Sequence, residues 1–358
     1  MIDKDNPPID DARIANSWQL VNEYLKPIAH LLEEPGVTEI MVNRWDSVFI
    51  EKHGMLEKTD ITFNDEDHVA TAITMMGTAS GQSVDSLNHP VVNARLPDGS
   101  RVCGTLAPTA ANGSDIAIRV FPKQVFTDKE LVARGSLNEA MRDYLRMAVL
   151  ARCNLLVSGS TGSGKTTLLN VLGSFIPDTD GVVTVEDTQE LKLGVASWRP
   201  YVASNRRQDD LSARQVTMPY LIEMALRKNP DRIVVGEMRD SQAVDAFLQA
   251  INTGHNGCLS TLHANNPVDA IERLKGLIAT EGRPAAYVDS LVRSNLQIIV
   301  QVEKVPLVGR LISSITEVNR ESITELWHYD FANKRHAAND QALPDSLVHH
   351  LSIKLGLI

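Results

Sequence analysis

The segment Gly159-Ser-Thr-Gly-Ser-Gly164-Lys165-Thr166 constrains this chain more than any other. Its G-x-x-x-x-G-K-T spacing has a physical cause. Glycines at those positions let consecutive backbone N–H groups converge on one anion, the lysine reaches the outer phosphates, and the threonine hydroxyl is a ligand for Mg²⁺. The pattern carries meaning only between a strand and a helix, which aim the N–H groups and the helix dipole at the anion. Asn154–Ser158 is a short apolar run suited to a buried strand, and Thr166–Phe175 carries apolar residues at helical spacing until Pro177. A glycine-rich surface turn would require neither flank. The loop therefore predicts an ATP-type site, with Gly159, Ser160, Thr161, Gly162, Ser163, Gly164, Lys165, Thr166 and Thr167 around the phosphates.

The surrounding pattern is consistent with that site. Strands are expected over Gly181–Glu186, Arg232–Gly236 and Gly257–Leu262, interleaved with helices over Met218–Lys228, Gln242–Asn252 and Val268–Ala279. Ser241 before one helix, Gly254 after it and Asn266-Pro267 before the next are boundary signals. Such β/α alternation predicts a parallel sheet covered on both faces. Beyond Ile298 the pattern turns to short strands, Ile312–Val318 and Ser322–Trp327. Upstream, Ser136-Leu-Asn-Glu139 has the spacing of a capping box, and Leu137, Met141, Leu145, Ala148 and Arg152 step along one helix face.

The first part is a separate mixed α/β pattern. Strands are expected at Thr38–Val42, Ser47–Glu51 and Asp60–Phe63, then a helix opened by Asn64–Asp67 and running through Met76. A hairpin follows, Val91–Leu96 and Ser100–Leu106 around Pro97-Asp-Gly99, and then a strand at Asp115–Phe121. Pro122–Gly135 is a polar connection. The expected organisation is an N-terminal α/β domain over 1–121, a linker over 122–135 and a nucleotide-binding domain over 136–358.

Composition narrows the class. A chain of 358 residues with 43% hydrophobic content can form two domains with real cores. Its three cysteines form no C-x-x-C pair, so neither a disulfide framework nor a zinc ribbon is suggested, and a reducing cytoplasm fits. No leader pattern opens the sequence, and nowhere do about 18 apolar residues run uninterrupted, so no membrane span or export is expected. A formal net charge of −10 argues against broad non-specific attraction to nucleic acid, although a local basic groove could hide in that average, and 5% aromatic content offers little for a stacking groove; no sequence-specific binding of nucleic acid is expected.

Nucleotide hydrolysis requires carboxylates at the carboxyl ends of strands beside the phosphate loop. Two strand exits carry them: Glu186-Asp187-Thr188-Gln189-Glu190 and Gly236-Glu237-Met238-Arg239-Asp240. Either alone could be a solvated exit; both downstream of a complete phosphate loop favour catalysis.

Together these segments carry a resemblance. The phosphate loop, Val-Glu-Asp-Thr-Gln-Glu, Pro-Asp-Arg-Ile-Val-Val-Gly-Glu-Met-Arg-Asp and Thr253-Gly-His255-Asn-Gly-Cys-Leu-Ser-Thr-Leu-His263-Ala occur in the order found in the secretion ATPase superfamily. They are similar to its Walker A, Asp box, glutamate-bearing Walker B and His box. Asn93-Ala-Arg-Leu-Pro-Asp-Gly-Ser-Arg101 resembles the branch of type IV secretion, conjugation and Tad pilus ATPases. A tetracysteine motif of many type II members is absent, and so is a long N-terminal extension, which leans toward a compact type IV secretion or conjugation member, with a Tad or type IV pilus motor as alternative.

The resemblance implies a PAS-like N-terminal domain, a RecA-like ATPase domain, and a homohexamer that is cytoplasmic and peripheral at the inner membrane through secretion or pilus complex proteins. It implies ATP and Mg²⁺ as ligands. Lys165 and Thr166 would hold phosphate and metal, Glu190 would be the general base with Glu186 in support, and Glu237 would lie near the metal. His263 and His255 would sense the γ-phosphate; a zinc pair is the competing interpretation, with no third ligand evident. Arg101 and Arg119, with Arg95 a lesser candidate, would neutralise transition-state charge, unless they only pair on a solvated sheet face. Arg206 and Arg207 are further candidates. A RecA-like DNA translocase or helicase, and a scaffold that binds ATP with little turnover, remain open at this level.

Overall fold

The computed structural model describes residues 11–121, 125–203, 216–280, 282, 284–340, 342–343 and 346–356. Arg206 and Arg207 lie outside the described residues. The chain divides into two compact units, Met1–Lys123 and Gln124–Ile358.

The first unit is built on a six-stranded antiparallel sheet of order β3-β2-β1-β6-β5-β4. Its strands are β1 (Val37–Arg44), β2 (Ser47–Lys52), β3 (Met55–Lys58), β4 (Val91–Arg95), β5 (Arg101–Thr105) and β6 (Asp115–Arg119). Helix α1 (Asp11–Tyr24) precedes a 3-10 helix (Lys26–Leu32), and α2 (Glu66–Ala79) is N-capped by Asp65, whose side chain accepts from His68 N. Val69, Ile73 and Met76 of α2 share a core with Ile40, Val42, Val92, Ile116 and Ile118.

One strand lies elsewhere than the sequence suggests. Asp60–Phe63 is irregular, and the third strand is Met55–Lys58, which pairs with β2 across a His53-Gly54 turn. Both turn residues have positive φ, 53° and 81°, the twist-matched geometry of a two-residue hairpin. All four residues of β3 are exposed, so this edge strand shows no buried alternation.

The second unit carries a nine-stranded sheet of order β15-β14-β13-β12-β7-β11-β10-β8-β9. The strands are β7 (Leu155–Gly159), β8 (Val182–Glu186), β9 (Trp198–Val202), β10 (Arg232–Val235), β11 (Leu259–Leu262), β12 (Ile298–Val305), β13 (Gly309–Val318), β14 (Ile323–Asp330) and β15 (Arg335–Ala338). From β12 to β9 every neighbour is parallel, and β13 to β15 extend the sheet antiparallel.

The helices are α3 (Asp128–Ala133), α4 (Glu139–Leu150), α5 (Lys165–Gly173), α6 (Met218–Leu226), α7 (Ser241–Asn252), α8 (Pro267–Ala279), α9 (Ala285–Asn295) and α10 (Leu347–Lys354). Strand side chains alternate between two cores: Leu155 and Val157 pack with Met141 and Leu145 of α4 and Leu168 of α5, and Leu156 packs with residues of α6 to α9. Burial on both faces explains the near-continuous apolar strands.

The connection over 122–135 is not wholly irregular, since α3 lies in it. The capping box belongs to α3: Thr127 Oγ1 accepts from Glu130 N, and the Glu130 carboxylate accepts from Thr127 N. Ser136 does not cap α4. Asn138 does, accepting from Met141 N at 2.9 Å, because the Ser136 hydroxyl instead donates to Arg310 O at 2.7 Å.

At the amino-terminal ends of the parallel strands, Arg232 is only 1% exposed. It donates to Asp180 Oδ2 at 2.7 Å and to Val149 O at 2.8 Å, and Arg152 reaches Asp180 Oδ1 at 3.0 Å. A Cβ at Gly257, which has φ +83°, would come 2.6 Å from the Arg232 guanidinium, so glycine is required there. Asn154 ties strands together at the same end, accepting from Cys258 N and donating to Asn295 O.

Candidate active site

The phosphate loop joins β7 to α5. Gly162 and Gly164 take φ of +70° and +100°, and Gly164 is the residue from which α5 starts. Gly159 is needed for proximity: a Cβ there would come 2.3 Å from Val302 O of the adjacent strand. Ser163 Oγ donates back to Ser160 O at 2.8 Å, closing the loop on itself, and Thr166 and Thr167 occupy the first turn of α5. Lys165 is 8% exposed, and its ammonium donates to Gly159 O at 3.1 Å and Ser160 O at 2.9 Å.

The neighbouring strands bring the other candidates to the same end of the sheet. β11 runs beside β7 with Leu262 opposite Ser158, so His263 emerges next to the loop. Lys165 Nζ lies 3.3 Å from His263 Nδ1, and His263 Nε2 lies 2.6 Å from Glu237 Oε1, just past the end of β10. Arg239 donates from Nε and Nη2 to Glu237 Oε2 at 2.9 and 2.6 Å, and its Nη1 lies 3.6 Å from Asp187 Oδ2, just past the end of β8. The order of contacts thus follows the order of strands, β7-β11-β10-β8.

Burial, then the nearby Lys165 ammonium, lowers the His263 pKa below 6.5, against the opposing pull of Glu237. Nε2 faces the Glu237 carboxylate and Nδ1 faces the Lys165 ammonium, a setting that favours the neutral tautomer with its proton on Nε2. Arg239 is held charged by Glu237, Asp187 and Glu190, which outweigh its burial.

Glu186 and Glu190 occupy different situations. Glu186 is 2% exposed, and its Oε1 accepts from Glu190 N at 2.8 Å and Leu191 N at 3.0 Å. Gly236 makes room for it, since a Cβ there would come 2.9 Å from Glu186 Cγ. Asn170 of α5 holds the same segment, donating to Glu190 O and accepting from Lys192 N. Glu190 itself is half-exposed. Asn170 was legible only as a polar interruption in the α5 apolar face, and Arg239 only as a member of an acidic run.

His255 does not join this constellation. It precedes β11, at the end remote from the loop, with Nδ1 3.3 Å from Ala250 O. The two histidines therefore flank β11 at opposite ends, which rules out a shared zinc site; among the described residues no cluster of three or more His, Cys, Asp or Glu could hold a metal.

In the first unit, register aligns the arginines. Arg95 pairs with Arg101, Arg101 with Arg119, and Arg119 with Glu39. Directly opposed residues project from one face, so three arginines share a row that ends on the acidic Glu39.

The type II/IV secretion system protein family model matches residues 22–339. VirB11 of Agrobacterium fabrum is 30% identical over 304 residues, 78% of this chain and 87% of its own length. The conjugal transfer protein TrbB of Rhizobium radiobacter is 31% identical over 281 residues, 76% and 81% of the two chains. A Mycobacterium tuberculosis protein with a conjugal-transfer name is 33% identical over 313 residues, 84% and 87%. In fold, the Yersinia pseudotuberculosis ATPase DotB aligns with a TM-score of 0.58 at 16% identity, covering 95% of this chain and 84% of that one. The pilus retraction motor PilT aligns with a TM-score of 0.55 at 19% identity, covering 95% and 88%. The chain belongs to the type II/IV secretion system protein family, on its type IV secretion and conjugation branch, and is an ATPase.

Proposed function

We propose that this ATPase hydrolyses ATP with Mg²⁺ as a homohexameric motor, peripheral at the inner membrane, for type IV secretion or conjugative transfer. The observation that carries the chemistry is the Lys165–His263–Glu237 contact chain across adjacent strand ends beside the phosphate loop. Among the described residues no helix is long and apolar enough to cross a membrane, so a membrane role would go through partner proteins.

The loop residues Gly159 to Thr167 would cradle the phosphates, with Lys165 on the outer ones. The donors fit Mg²⁺, which takes few protein ligands and keeps waters: the Thr166 hydroxyl and the Glu237 carboxylate are hard oxygen donors. Bound Mg²⁺ would supply charge neutralisation at the β and γ phosphates. Glu190 is assigned the proton of the attacking water, because it is half-exposed and its backbone is fixed by Glu186 and Asn170. Buried Glu186 spends an oxygen on two backbone N–H groups and acts as the positioning carboxylate. His263 links the loop lysine to Glu237 and would report phosphate occupancy between them. Arg101 and Arg119 would supply transition-state cations.

Steady-state hydrolysis and nucleotide binding by purified protein test this. Lys165→Ala should abolish turnover, and Glu190→Gln should bind ATP yet hydrolyse it at background rate. Turnover in Lys165→Ala, or full activity in Glu190→Gln, would overturn the assignment. Stimulation by single-stranded DNA would favour the translocase alternative.

A further inference from the structure

We infer that Arg310 of β13 is a further nucleotide-binding residue, a second cation for the polyphosphate supplied from outside the phosphate-loop motif. This rests on the ATP-binding assignment above.

The β12–β13 hairpin runs beside the loop, with Val302 of β12 opposite Gly159. From the facing strand, Arg310 Nε donates to Gly162 O at 2.7 Å, and its Cδ would stand 3.4 Å from a Cβ built on Gly164. The guanidinium therefore lies against the glycines that give the loop its curvature. That stretch is the part of such a loop that turns N–H groups to the α and β phosphates.

A guanidinium has five N–H donors in a planar fork. Nε is the one engaged: among the described residues no ion pair and no other side-chain hydrogen bond of Arg310 is present, although acidic residues outnumber basic ones in the chain. Four donors remain at the rim of an anion-binding loop. A bidentate fork next to converging backbone N–H groups matches phosphate oxygens in charge and shape.

The position is also rigid. Ser136 Oγ donates to Arg310 O at 2.7 Å, Ile312 N donates to Ser136 O at 2.8 Å, and Arg310 pairs with Lys304 across the hairpin. The Arg310 main chain is thus fixed from both sides, so the side chain needs little ordering to meet a ligand. Its separation from Gly162 by 148 residues explains why no local motif marks it.

Equilibrium titration with fluorescent ATP and ADP analogues, at fixed salt, tests the inference on the full-length protein. Arg310→Ala should weaken both nucleotides by about tenfold or more, the scale of a charge-assisted hydrogen bond. Arg310→Lys should recover part of that loss. Arg310→Gln separates the roles: its amide can still donate to Gly162 O but carries no charge, so it should bind as weakly as Arg310→Ala. Melting curves without nucleotide should be unchanged, since the side chain is exposed. Wild-type affinity in Arg310→Ala, or in Arg310→Gln alone, would overturn the phosphate contact. Failure of the unsubstituted protein to bind ATP would instead overturn the assignment on which it rests.

Discussion

Replacing Glu186 by glutamine separates positioning from chemistry in the Asp-box segment. The carboxylate is 2% exposed, and one oxygen accepts from Glu190 N and Leu191 N at 2.8 and 3.0 Å. Glutamine keeps an acceptor at that place and loses the charge. Hydrogen bonds to charged groups contribute ~1.5–3 kcal/mol, against ~0.5–1.5 for neutral ones, so each of the two should weaken by about 1 kcal/mol. Burying an amide rather than a carboxylate recovers part of this, leaving a net loss of roughly 1–2 kcal/mol. For a unit of this size that lowers the melting temperature by about 2–8 °C. The assays are a nucleotide-free thermal melt and steady-state hydrolysis. We expect the melt to fall and turnover to drop by about tenfold without vanishing, because Glu190 is loosened rather than removed. An unchanged melt with background turnover would refute the reasoning and make Glu186 the residue that handles the proton.

Three further outcomes are expected. Arg119→Ala, and more weakly Arg101→Ala, should leave ATP binding nearly intact and cut turnover at least tenfold, modest beside the ~10³–10⁵ of arginine fingers; unchanged rates in the double variant would reduce the row to a surface feature. Asp180→Ala strands buried Arg232 and should cost about 3–5 kcal/mol in urea denaturation; a loss below about 1 kcal/mol would show the cluster to be solvated. For His263, whose folded pKa lies below 6.5, the neutral form is the one favoured by the fold. Its contribution is complete above the unfolded value and is lost as pH falls through the folded one, so acidification should destabilise the protein more than His263→Gln. Parallel pH profiles for the two proteins would contradict this.

The central strands were legible because burial on both faces leaves nearly unbroken runs such as Val182-Val-Thr-Val-Glu186, and the loop was legible because its glycines are dictated by backbone geometry. Met55–Lys58 was not, because an exposed edge strand carries no alternation. Ser136 has the right spacing for a cap, yet a tertiary partner took its hydroxyl. Arg95, Arg101 and Arg119 could be picked out one at a time, whereas their alignment depends on register across strands from distant parts of the chain. His255 is the converse case: it is near His263 in sequence, yet the strand expected between them carries the two histidines to opposite ends of β11.

The buried Arg232–Asp180 pair acquires a mechanical meaning from where it sits. It joins the entries of β8 and β10 at one end of the sheet, and the phosphate loop, His263 and Glu237 stand at the other. Because the strands between these two ends are paired along their length, the positions of His263 and Glu237 relative to the loop are set by the sheet and not by the loops that follow each strand.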